Sequence, residues 1–399
     1  MPVAAVCDRR IFRLQFTRPA VIDRRYSSVR MRTVELLIED IAFGGKGVGR
    51  VEGKAIFVPF TIEGERVRAR IVREKKNFAE AELIEVLAPS PERVMQECPY
   101  FGRCGGCSYQ HIGYEHQLAI KTHQVEAALR RLGKIQNPPM RPIVPSPNPY
   151  SYRNRITVHA EDGVVGYFRR DVHRLVDVER CPIAVPEVNA ALAELRARQP
   201  REGHFTLRAH PGPRIFAQTN DAVAEALARL VAEMLPPPQE LLIDAYCGAG
   251  FFAKRLLTHF QRIVGIEWDR FAIAAARENA TSAETYLAGD VEPALARLLC
   301  ENNLAGTSVI VDPPATGLPA GTRRTLREHP PHTLVYVSCN PATLARDLGE
   351  LKGSFTIRSV TPLDMFPQTA EIECVVHLQN AKMPPHSPAT SDLGSHSAQ

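Results

Sequence analysis

The sequence lacks an apolar run that could cross a membrane. No uninterrupted apolar stretch approaches the length of about eighteen residues that a membrane helix requires. The N-terminus also lacks the apolar segment and small-residue cleavage site of a secretory signal. These absences argue against a membrane-spanning or secreted protein, so we expect a cytoplasmic, monomeric protein. Its 399 residues are enough for two or three compact units.

An excess of one charge sign is also missing from most of the chain. Residues 1–31 hold seven Arg and two Asp, which leaves 42 basic and 42 acidic side chains elsewhere. The net charge of +5 therefore indicates no particular partner. We expect residues 1–31 to be a disordered leader or a misassigned start, with Met31 as the alternative first residue. Residues 381–399, rich in Ser, Pro and His, are expected to be a disordered tail.

The cysteines do not follow the pattern of a disulfide framework. Their number, nine, is odd, and three of them fall between Cys98 and Cys107. Cys98, Cys104 and Cys107 form a C-x5-C-x2-C motif, and Cys181 follows later, directly before a proline. Four thiolates suit either a tetrahedral zinc ion or a [4Fe–4S] cluster. Spacing alone leaves both open.

The N-terminal half of the chain is expected to contain a barrel and a mixed region. Short alternating apolar runs between residues 32 and 90, separated by GGKGVG, TIEGE and REKKN, predict five strands of a small β-barrel. Residues 91–238 are expected to form a mixed α+β central region. Within it, residues 115–133 are expected to form a helix that places Leu118, Val125, Leu129 and Leu132 on one face, which would pack on the domain that follows residue 238. Gly133 is positioned to stop this helix. Six prolines in residues 136–149 indicate an irregular connection.

From residue 239 to 380, apolar strands alternate with amphipathic helices. This texture predicts an α/β domain with a doubly wound, Rossmann-like parallel sheet. G-x-G-x-x-G and P-loop patterns are absent, which disfavours dinucleotides and nucleoside triphosphates as ligands.

The first strand and turn of this domain predict a small-molecule pocket. Asp244 ends an apolar strand, and Gly248 and Gly250 lie in the turn that follows, where they would let the backbone approach a ligand. Glu267, at the tip of the next strand, is placed to accept hydrogen bonds from ribose hydroxyls. The pattern resembles the class I S-adenosylmethionine fold, which implies that the methionine part binds at the first turn and the ribose at the second.

Two further positions are expected on the adenine side of that pocket. Asn279 and Asp290 follow Glu267 at spacings that would let them reach the base.

A cysteine and a glutamate near later strands suggest covalent chemistry on uracil. Carbon 5 of uracil is a poor nucleophile, so its methylation needs a thiolate to add at carbon 6 and a base to remove the carbon 5 proton. Cys339 follows an apolar strand and precedes a helix that Pro341 can begin, a position that lowers a thiol pKa. Glu373 enters a late apolar strand, where burial would raise its pKa toward that of a useful base.

Three motifs together resemble the RNA 5-methyluridine methyltransferase family. V-D-P-P-x-x-G-L begins at Val311, S-C-N-P-A-T-x-A-R-D-L at Ser338 and D-M-F-P-x-T-x-x-x-E at Asp364. The resemblance spans roughly residues 32–380. It implies that the nucleophile is Cys339, the base Glu373 and a substrate-side acid Asp312. It also implies that Gln218, in IFAQTN, touches the methyl donor S-adenosylmethionine.

One position departs from the family pattern. Ala315 stands where the family usually has an Arg directly after the second proline. A planar donor fork and a fixed charge are therefore missing. We expect substrate placement or loop anchoring to differ, with activity retained.

The resemblance also bears on the metal and on the RNA. A subset of the family carries a [4Fe–4S] cluster on the C-x5-C-G-G-C pattern plus a distant Cys-Pro, which favours the cluster over zinc in a structural role. The N-terminal strands resemble a TRAM domain, an OB-like RNA-binding barrel. Candidate RNA contacts are aromatic and basic side chains in the barrel and central region: Phe57, Phe60, Arg70, Arg73, Lys75, Lys76, Tyr152, Arg153, Asn154, Arg155, Phe168 and Arg169.

The expected function is methylation of a uridine at carbon 5, with 23S ribosomal RNA as the leading substrate. Transfer RNA is the nearest alternative. A non-catalytic RNA-binding relative is disfavoured by the presence of Cys339 and Glu373. A radical enzyme is disfavoured because the cysteines are not spaced C-x3-C-x2-C.

Overall fold

The computed structural model describes residues 32–170, 172–210, 218–235 and 237–384. The predicted leader and nearly all of the predicted tail lie outside these residues. The chain divides into two compact units. The first comprises residues up to 124 with 148–209 and 366–371, and the second comprises residues 125–147, 210–365 and those from 372 onward. None of the helices in the described part has the length and apolar character of a membrane span.

The first unit begins with a closed five-stranded barrel, as the sequence predicted. Its strands pair in the order β1-β2-β3-β5-β4. Alternate residues such as Ile38, Val58 and Val67 point inward and are fully buried, which is the two-residue period of a strand with one apolar face. The strands are β1 (Thr33–Ile41), β2 (Lys46–Val51), β3 (Lys54–Pro59), β4 (Arg66–Glu74) and β5 (Phe78–Ala88).

The prediction that GGKGVG is a turn was wrong for most of its length. Residues 46–51 form β2, paired with β1 and β3. A Cβ atom on Gly47 would lie 2.0 Å from the Thr61 hydroxyl, and one on Gly49 would lie 2.2 Å from the Leu37 carbonyl oxygen. These glycines are therefore needed because the barrel packs closely there. Only Gly44 and Gly45, at φ +92° and +86°, form the turn.

The central region of the first unit is a four-stranded antiparallel sheet with one helix. The strand order is β8-β7-β6-β9. One face buries Ile156, Val158 and Val165 against Val188 and Leu192 of the helix. The elements are β6 (Arg155–Glu161), β7 (Val164–Phe168), β8 (Leu175–Asp177), α2 (Pro186–Ala197) and β9 (Gly203–Arg208).

Helix α1 (Tyr114–Arg131) agrees with the predicted helix except at its end. Leu118, Val125 and Leu129 are buried as expected, and Val125 and Leu129 join the core of the second unit. Leu132 is 55% exposed, so its placement on the buried face was wrong. The helix ends at Arg131, two residues before the predicted end at residue 133, and the chain turns away through Gly133 and Lys134, whose φ is +53°.

The second unit contains a seven-stranded sheet in the order β12-β11-β10-β13-β14-β16-β15. Neighbours from β12 to β14 are parallel, and β16 is antiparallel to β14 and β15. The strands are β10 (Gln239–Ala245), β11 (Phe260–Glu267), β12 (Glu284–Ala288), β13 (Thr307–Val311), β14 (Thr333–Ser338), β15 (Phe355–Leu363) and β16 (Glu373–Asn380). The predicted Rossmann-like α/β fold is confirmed.

Six helices accompany this sheet: α3 (Asp221–Met234), α4 (Phe251–Arg255), α5 (Arg270–Arg277), α6 (Val291–Glu301), α7 (Ala320–Glu328) and α8 (Pro341–Leu351). The proline-rich connection runs beside β15, where the amide of Arg141 donates to the Val360 carbonyl at 2.8 Å and that of Val144 to Pro362 at 2.9 Å. This segment satisfies backbone groups along the edge strand.

Candidate active site

Most of the residues predicted to act in catalysis or to bind the methyl donor lie at one edge of the sheet of the second unit. The carboxyl ends of β10 to β14 meet there, and β16, being antiparallel, starts there. The strand order reverses between β10 and β13, which is where such sheets form a ligand crevice. The residues at this edge are Asp244, Glu267, Asp290, Asp312, Cys339 and Glu373.

Asp244 is a fully buried carboxyl group at the end of β10. Its Oδ2 accepts a hydrogen bond from the amide of Ala253 at 3.1 Å. Its Oδ1 is buried without a hydrogen-bond partner among the described residues. Burial raises the pKa of Asp244 to about 7, and the nearby carboxylates of Asp312 and Glu267 add to the rise. An orphaned buried acceptor of this kind fits a polar, cationic ligand such as the methyl donor.

The turn after Asp244 depends on two glycines. Gly248 and Gly250 have φ angles of +54° and +81°, in the left-handed region that glycine adopts without strain. A Cβ atom on Gly250 would also lie 2.7 Å from the Tyr286 hydroxyl. The turn therefore brings backbone, rather than side chains, to the crevice.

Glu267 links this turn to the next strand. Its Oε2 accepts from the amide of Gly248 at 3.1 Å, and its Oε1 accepts from that of Asp269 at 3.0 Å. The carboxylate is 8% exposed. Each oxygen has further acceptor capacity for a ribose hydroxyl. Glu267 is thus a structural tie of the glycine turn as well as a predicted donor contact, a role that the sequence did not indicate.

The other residues predicted to contact the methyl donor do not all lie near Asp244 and Glu267. Asp290 caps α6, accepting from the amide of Glu292 at 3.1 Å, and the preceding Gly289 donates to the Glu267 carbonyl at 2.9 Å, so Asp290 adjoins the pocket. Asn279 is exposed and follows the end of α5, on the side of the sheet where strands begin. The structure therefore does not bring Asn279 to Asp244 and Glu267. Gln218 precedes α3, and its contact with the donor stays a prediction.

Cys339 lies in the short loop between β14 and α8. The side chain of Asn340 caps the helix, accepting from the amide of Ala342 at 3.0 Å, and Pro341 takes the first helical position. Cys339 is partly exposed, as a nucleophile must be. The motif that predicted a strand, a cysteine and a helix start is confirmed in this local geometry.

Glu373 is the first residue of β16 and is 5% exposed. Ser338 pairs with Cys374 across β14 and β16, so Cys339 and Glu373 are the next residues on the two neighbouring segments. Cys374 is fully buried in the apolar core, and strand alternation puts it on the face opposite to Glu373.

Two carboxyl groups at this edge interact. Burial raises the pKa of Asp312 to about 7. Burial, and then the charge of Asp312, hold the pKa of Glu373 well above its usual value. The predicted effect of burial on the Glu373 base is therefore present. Each of the two carboxyl groups therefore opposes the ionisation of the other.

The loop after Asp312 is anchored without the arginine that the family usually has. The carbonyl of Ala315 accepts from the side chains of Asn340 and Thr343, each at 3.1 Å. The buried carboxylate of Asp347 accepts from the amide of Leu318 at 2.8 Å. The loop is thus held to α8 through backbone groups that do not depend on the side chain at position 315.

The four cysteines of the first unit share one neighbourhood. Gly105 donates to the carbonyl of Phe168 at 3.1 Å, which joins the Cys98–Cys107 loop to the end of β7, and Cys181 follows β8. Burial raises the pKa of Cys104 to about 11 and of Cys107 to about 12, and the charge of Cys181 contributes to both. All four thiols are free.

Four cysteine thiols are suitable ligands for the predicted cluster, but their side chains are not arranged as metal ligands in the described part of the chain. Among the described residues, no three His, Cys, Asp or Glu side chains are arranged to hold a metal ion. The structure therefore supports proximity of the four thiols and does not show the metal site.

Several predicted RNA contacts have other roles. Tyr152 is 5% exposed and its hydroxyl donates to the Pro367 carbonyl at 3.0 Å, so it is a core residue rather than a stacking surface. Arg70 is paired with Glu82 at 2.6 Å. Phe60 packs against the barrel core. Phe168, in contrast, is partly exposed at the end of β7.

Sequence reasoning missed one part of the central region. The outer face of its sheet carries His159 and His204, paired across β6 and β9. The alternation of polar and apolar residues in RITVHAE was the available signal.

The comparisons with known proteins agree with the fold and identify related RNA methyltransferases. Residues 294–381 match the tRNA (Uracil-5-)-methyltransferase family model, and residues 28–84 match the TRAM domain model. An uncharacterized RNA methyltransferase of Gloeobacter violaceus is 30% identical over 88% of this chain and 97% of that protein. One of Aquifex aeolicus is 29% identical over 87% of this chain and 99% of that protein.

A solved structure shows the same fold. The Pyrococcus abyssi tRNA (uracil-54, C5)-methyltransferase, in complex with S-adenosyl-L-homocysteine, has a TM-score of 0.67 and 24% identity, covering 86% of this chain and 100% of that one. The two family-model matches and the Gloeobacter violaceus relative show that the chain belongs to the RNA (uracil-5-)-methyltransferase family and carries a TRAM domain.

Proposed function

We propose that this protein transfers the methyl group of S-adenosylmethionine to carbon 5 of a uridine in ribosomal RNA, through a covalent adduct with Cys339. The observation that carries the proposal is the meeting of Cys339, Glu373 and Asp312 at the sheet edge that also holds the donor pocket. A nucleophile, a buried base and a substrate-side acid are the parts that uracil methylation requires.

In the proposed sequence of steps, Cys339 acts at the start and at the end, and Glu373 acts as the base. The Cys339 thiolate forms a bond to carbon 6, and the electron pair of the 5,6 double bond moves to give an enolate. Carbon 5 then attacks the sulfonium methyl, and S-adenosylhomocysteine leaves. Glu373 takes the proton from carbon 5, the double bond reforms and the Cys339 thiolate departs. The raised pKa of Glu373 makes its ionised form a stronger base.

In the donor pocket, Asp244 would orient the methionine part and Glu267 would accept from the ribose hydroxyls. The orphaned Oδ1 of Asp244 and the remaining acceptor capacity of Glu267 support these assignments. Asp290 adjoins the same pocket on the adenine side.

Transfer RNA is the second candidate substrate. The matched family model is named for tRNA, and the Pyrococcus abyssi relative acts on uracil-54 of tRNA. Ribosomal RNA is favoured because the members of the family that carry this cysteine motif act more often on ribosomal RNA than on transfer RNA.

A trapping experiment tests the function and the substrate together. In vitro transcripts of 23S rRNA and of tRNA, each containing 5-fluorouridine, are incubated with the protein and S-adenosylmethionine. Fluorine cannot leave as a proton, so we expect a covalent, methylated protein–RNA complex with 23S rRNA. A complex with tRNA alone would assign the second substrate. No complex and no 5-methyluridine on either RNA would overturn the proposal.

We propose that Cys98, Cys104, Cys107 and Cys181 hold a [4Fe–4S] cluster with a structural role. Support comes from their donor set and shared neighbourhood. When bound, such a cluster supplies cross-linking of the loop and sheet rather than chemistry on uracil. Anaerobically purified protein should hold about four irons per chain. One zinc per chain and no iron would contradict this assignment, and Cys300→Ser, at an exposed cysteine elsewhere, is the control.

A further inference from the structure

The loop between β15 and β16 leads directly to the proposed base. Residues 366–371 of this loop belong to the first unit, and Glu373 follows two residues later as the first residue of β16. Glu373 pairs with Leu363 of β15, whereas the pairing of β16 with β14 starts at Cys374. Glu373 therefore lies at the end of the ladder, where its position depends on the loop as well as on the strands.

Two carbonyl groups at the start of this loop accept hydrogen bonds from buried side chains of the first unit. The carbonyl of Phe366 accepts from Nζ of Lys121 at 3.0 Å, and that of Pro367 accepts from the Tyr152 hydroxyl at 3.0 Å. Lys121 is fully buried in α1, and burial of an ammonium group is costly unless it is hydrogen-bonded. A lysine at this place is therefore better explained by its hydrogen bonding to the loop than by packing.

Gln368 is held in a strained conformation by four hydrogen bonds. Its φ of +66° lies in the left-handed region, which residues other than glycine rarely adopt. Its carbonyl accepts from the amides of Ser108 and Tyr109, each at 3.0 Å. Its Oε1 accepts from Nε2 of Gln117 at 3.0 Å, and its amide donates to Oε1 of Gln117 at 3.1 Å. Such a conformation persists only where the surroundings determine it, and such residues cluster at active sites.

Gln117 and Lys121 share one face of α1. They are four residues apart, which places them one helical turn from each other. Gln117 is also fully buried, and its Nε2 donates to the Ile112 carbonyl at 2.9 Å, which fixes the orientation of the amide. The helix therefore presents a fixed amide and an ammonium group side by side to the loop.

We propose that Gln117 and Lys121 are positioning residues, which hold residues 366–368 so that Glu373 reaches the carbon 5 proton. A general base must lie within hydrogen-bond reach of the proton that it removes, and a displacement of about 1 Å can slow a reaction by about a hundredfold. The two side chains act through the loop and not on uracil. The inference rests on the proposed function, because it assigns these residues to the proton-removal step of the proposed reaction.

The test measures methyl transfer and proton removal separately. The transcript that forms the 5-fluorouridine complex is prepared with ordinary uridine and mixed with the protein and with S-adenosylmethionine that carries a labelled methyl group. Samples are quenched over time and separated on denaturing gels. All labelled RNA, free or attached to protein, reports methyl transfer. Labelled RNA that is free of protein reports proton removal, because the bond to Cys339 breaks only after that step.

Gln117→Leu and Lys121→Met remove hydrogen bonds to the loop and keep much of the buried volume. Each variant should release methylated RNA about tenfold more slowly than wild type, or slower still, and keep methyl transfer within about twofold. A methylated covalent complex should therefore accumulate on ordinary uridine. A purely structural defect would lower both rates together, in proportion to the loss of folded protein.

Gln368→Gly is a second variant, in case the α1 variants do not fold. Glycine adopts a φ of +66° without strain, and the substitution removes the side-chain bond to Gln117, so release should again be slower than methyl transfer. Thr122→Ala is the matched control on α1. The Thr122 hydroxyl donates to the Leu118 carbonyl of its own helix at 2.9 Å, so both rates should equal those of wild type.

Failure of this inference can be told from failure of the proposed function. If wild type forms the 5-fluorouridine complex while the folded variants at Gln117, Lys121 and Gln368 release methylated RNA at the wild-type rate, the loop contacts do not position the base. An equal fall in methyl transfer and release, or a slow release in Thr122→Ala, would assign the contacts to general stability and also overturn the inference. If wild type forms neither the complex nor 5-methyluridine, the proposed function falls and the positioning role falls with it.

Discussion

The carboxyl group of Asp312, which is partly exposed, interacts with the buried carboxyl group of Glu373 at the same edge of the sheet, and its charge helps to hold the pKa of Glu373 above its usual value. Asp312 follows β13 and Glu373 begins β16, with β14 between them carrying Cys339 at its end. The loop that carries Cys339 therefore lies between two acids that oppose each other's ionisation.

The pH dependence of methylation should reflect this pair. Glu373 must be ionised to accept the carbon 5 proton, so activity should rise with pH, and the acidic limb should lie above the usual carboxyl range because burial and the charge of Asp312 raise the pKa of Glu373. Asp312→Asn removes a negative charge, which lowers the pKa of Glu373 and should move that limb to lower pH. A profile of kcat/KM against pH for the two proteins measures the shift. An unchanged limb in Asp312→Asn would show that another group controls it.

The strands and motifs at this edge were predictable because their signals are local. An apolar strand followed by a cysteine, an asparagine cap and a proline specifies the end of β14 and the start of α8 without reference to the rest of the chain. The raised pKa of Glu373 also followed from an acid at the start of an apolar strand, although the size of the effect depends on Asp312, which is 61 residues away in sequence.

Features that depend on distant packing were not predictable. Gly47 and Gly49 resembled turn residues, because only the approach of Thr61 and Leu37 shows why a strand needs them. Strand β15 was missed, and its backbone is satisfied in part by the proline-rich connection. The hydrogen bond from the Gly248 amide to Glu267 joins two strand ends that are 19 residues apart, and no local sequence pattern predicts it.

Stability of the ligand-free protein should depend on Asp244. Its pKa is about 7 when folded, against about 3.9 for an unfolded Asp, so the folded state binds a proton that the unfolded state has released. This contribution is present below about pH 4 and is lost as pH rises through about 7. Asp244→Asn keeps an acceptor for the Ala253 amide and removes the buried charge, so at pH 8 it should unfold at a higher temperature than wild type.

The same substitution should impair donor binding, which calorimetry would report. Asp162→Asn is the control, because Asp162 is an exposed residue of the first unit at φ +50°, a conformation that Asn adopts as readily. Melting curves of all three proteins at pH 5 and pH 8 test the prediction. If Asp244→Asn is less stable than wild type at pH 8, the cost of burying the ionised Asp244 carboxylate is offset by an interaction other than the hydrogen bond from Ala253.

Glu267→Ala should weaken S-adenosylmethionine binding more than the loss of a residue that only contacts the ligand, because Glu267 also holds the glycine turn. It removes the proposed bonds to the ribose hydroxyls and releases the Gly248 amide, a loss of about 2 to 3 kcal/mol. Glu284→Ala removes a buried carboxylate at the start of the neighbouring strand β12 and should leave donor affinity close to that of wild type. Calorimetric titration of both variants, with RNA affinity measured in parallel, separates donor binding from general unfolding. Equal donor affinity in Glu267→Ala and wild type would place the ribose contact elsewhere.

The covalent step gives the sharpest test of the residues at the active edge. Cys339→Ala should abolish both turnover and the 5-fluorouridine complex, because the enolate cannot form without addition at carbon 6. Glu373→Gln should behave differently. Addition and methyl transfer can proceed, but the carbon 5 proton stays, so a methylated covalent complex should accumulate on ordinary uridine.

Cys374→Ala is the matched control, since Cys374 is the neighbouring thiol and faces the apolar core. Its variant loses a small buried side chain and should retain the complex and turnover per folded molecule. Gel separation of protein–RNA complexes, with mass spectrometry of the attached peptide, distinguishes the three variants. Retained turnover in Cys339→Ala together with its loss in Cys374→Ala would make Cys374 the nucleophile and would contradict the assignment that the sheet register supports.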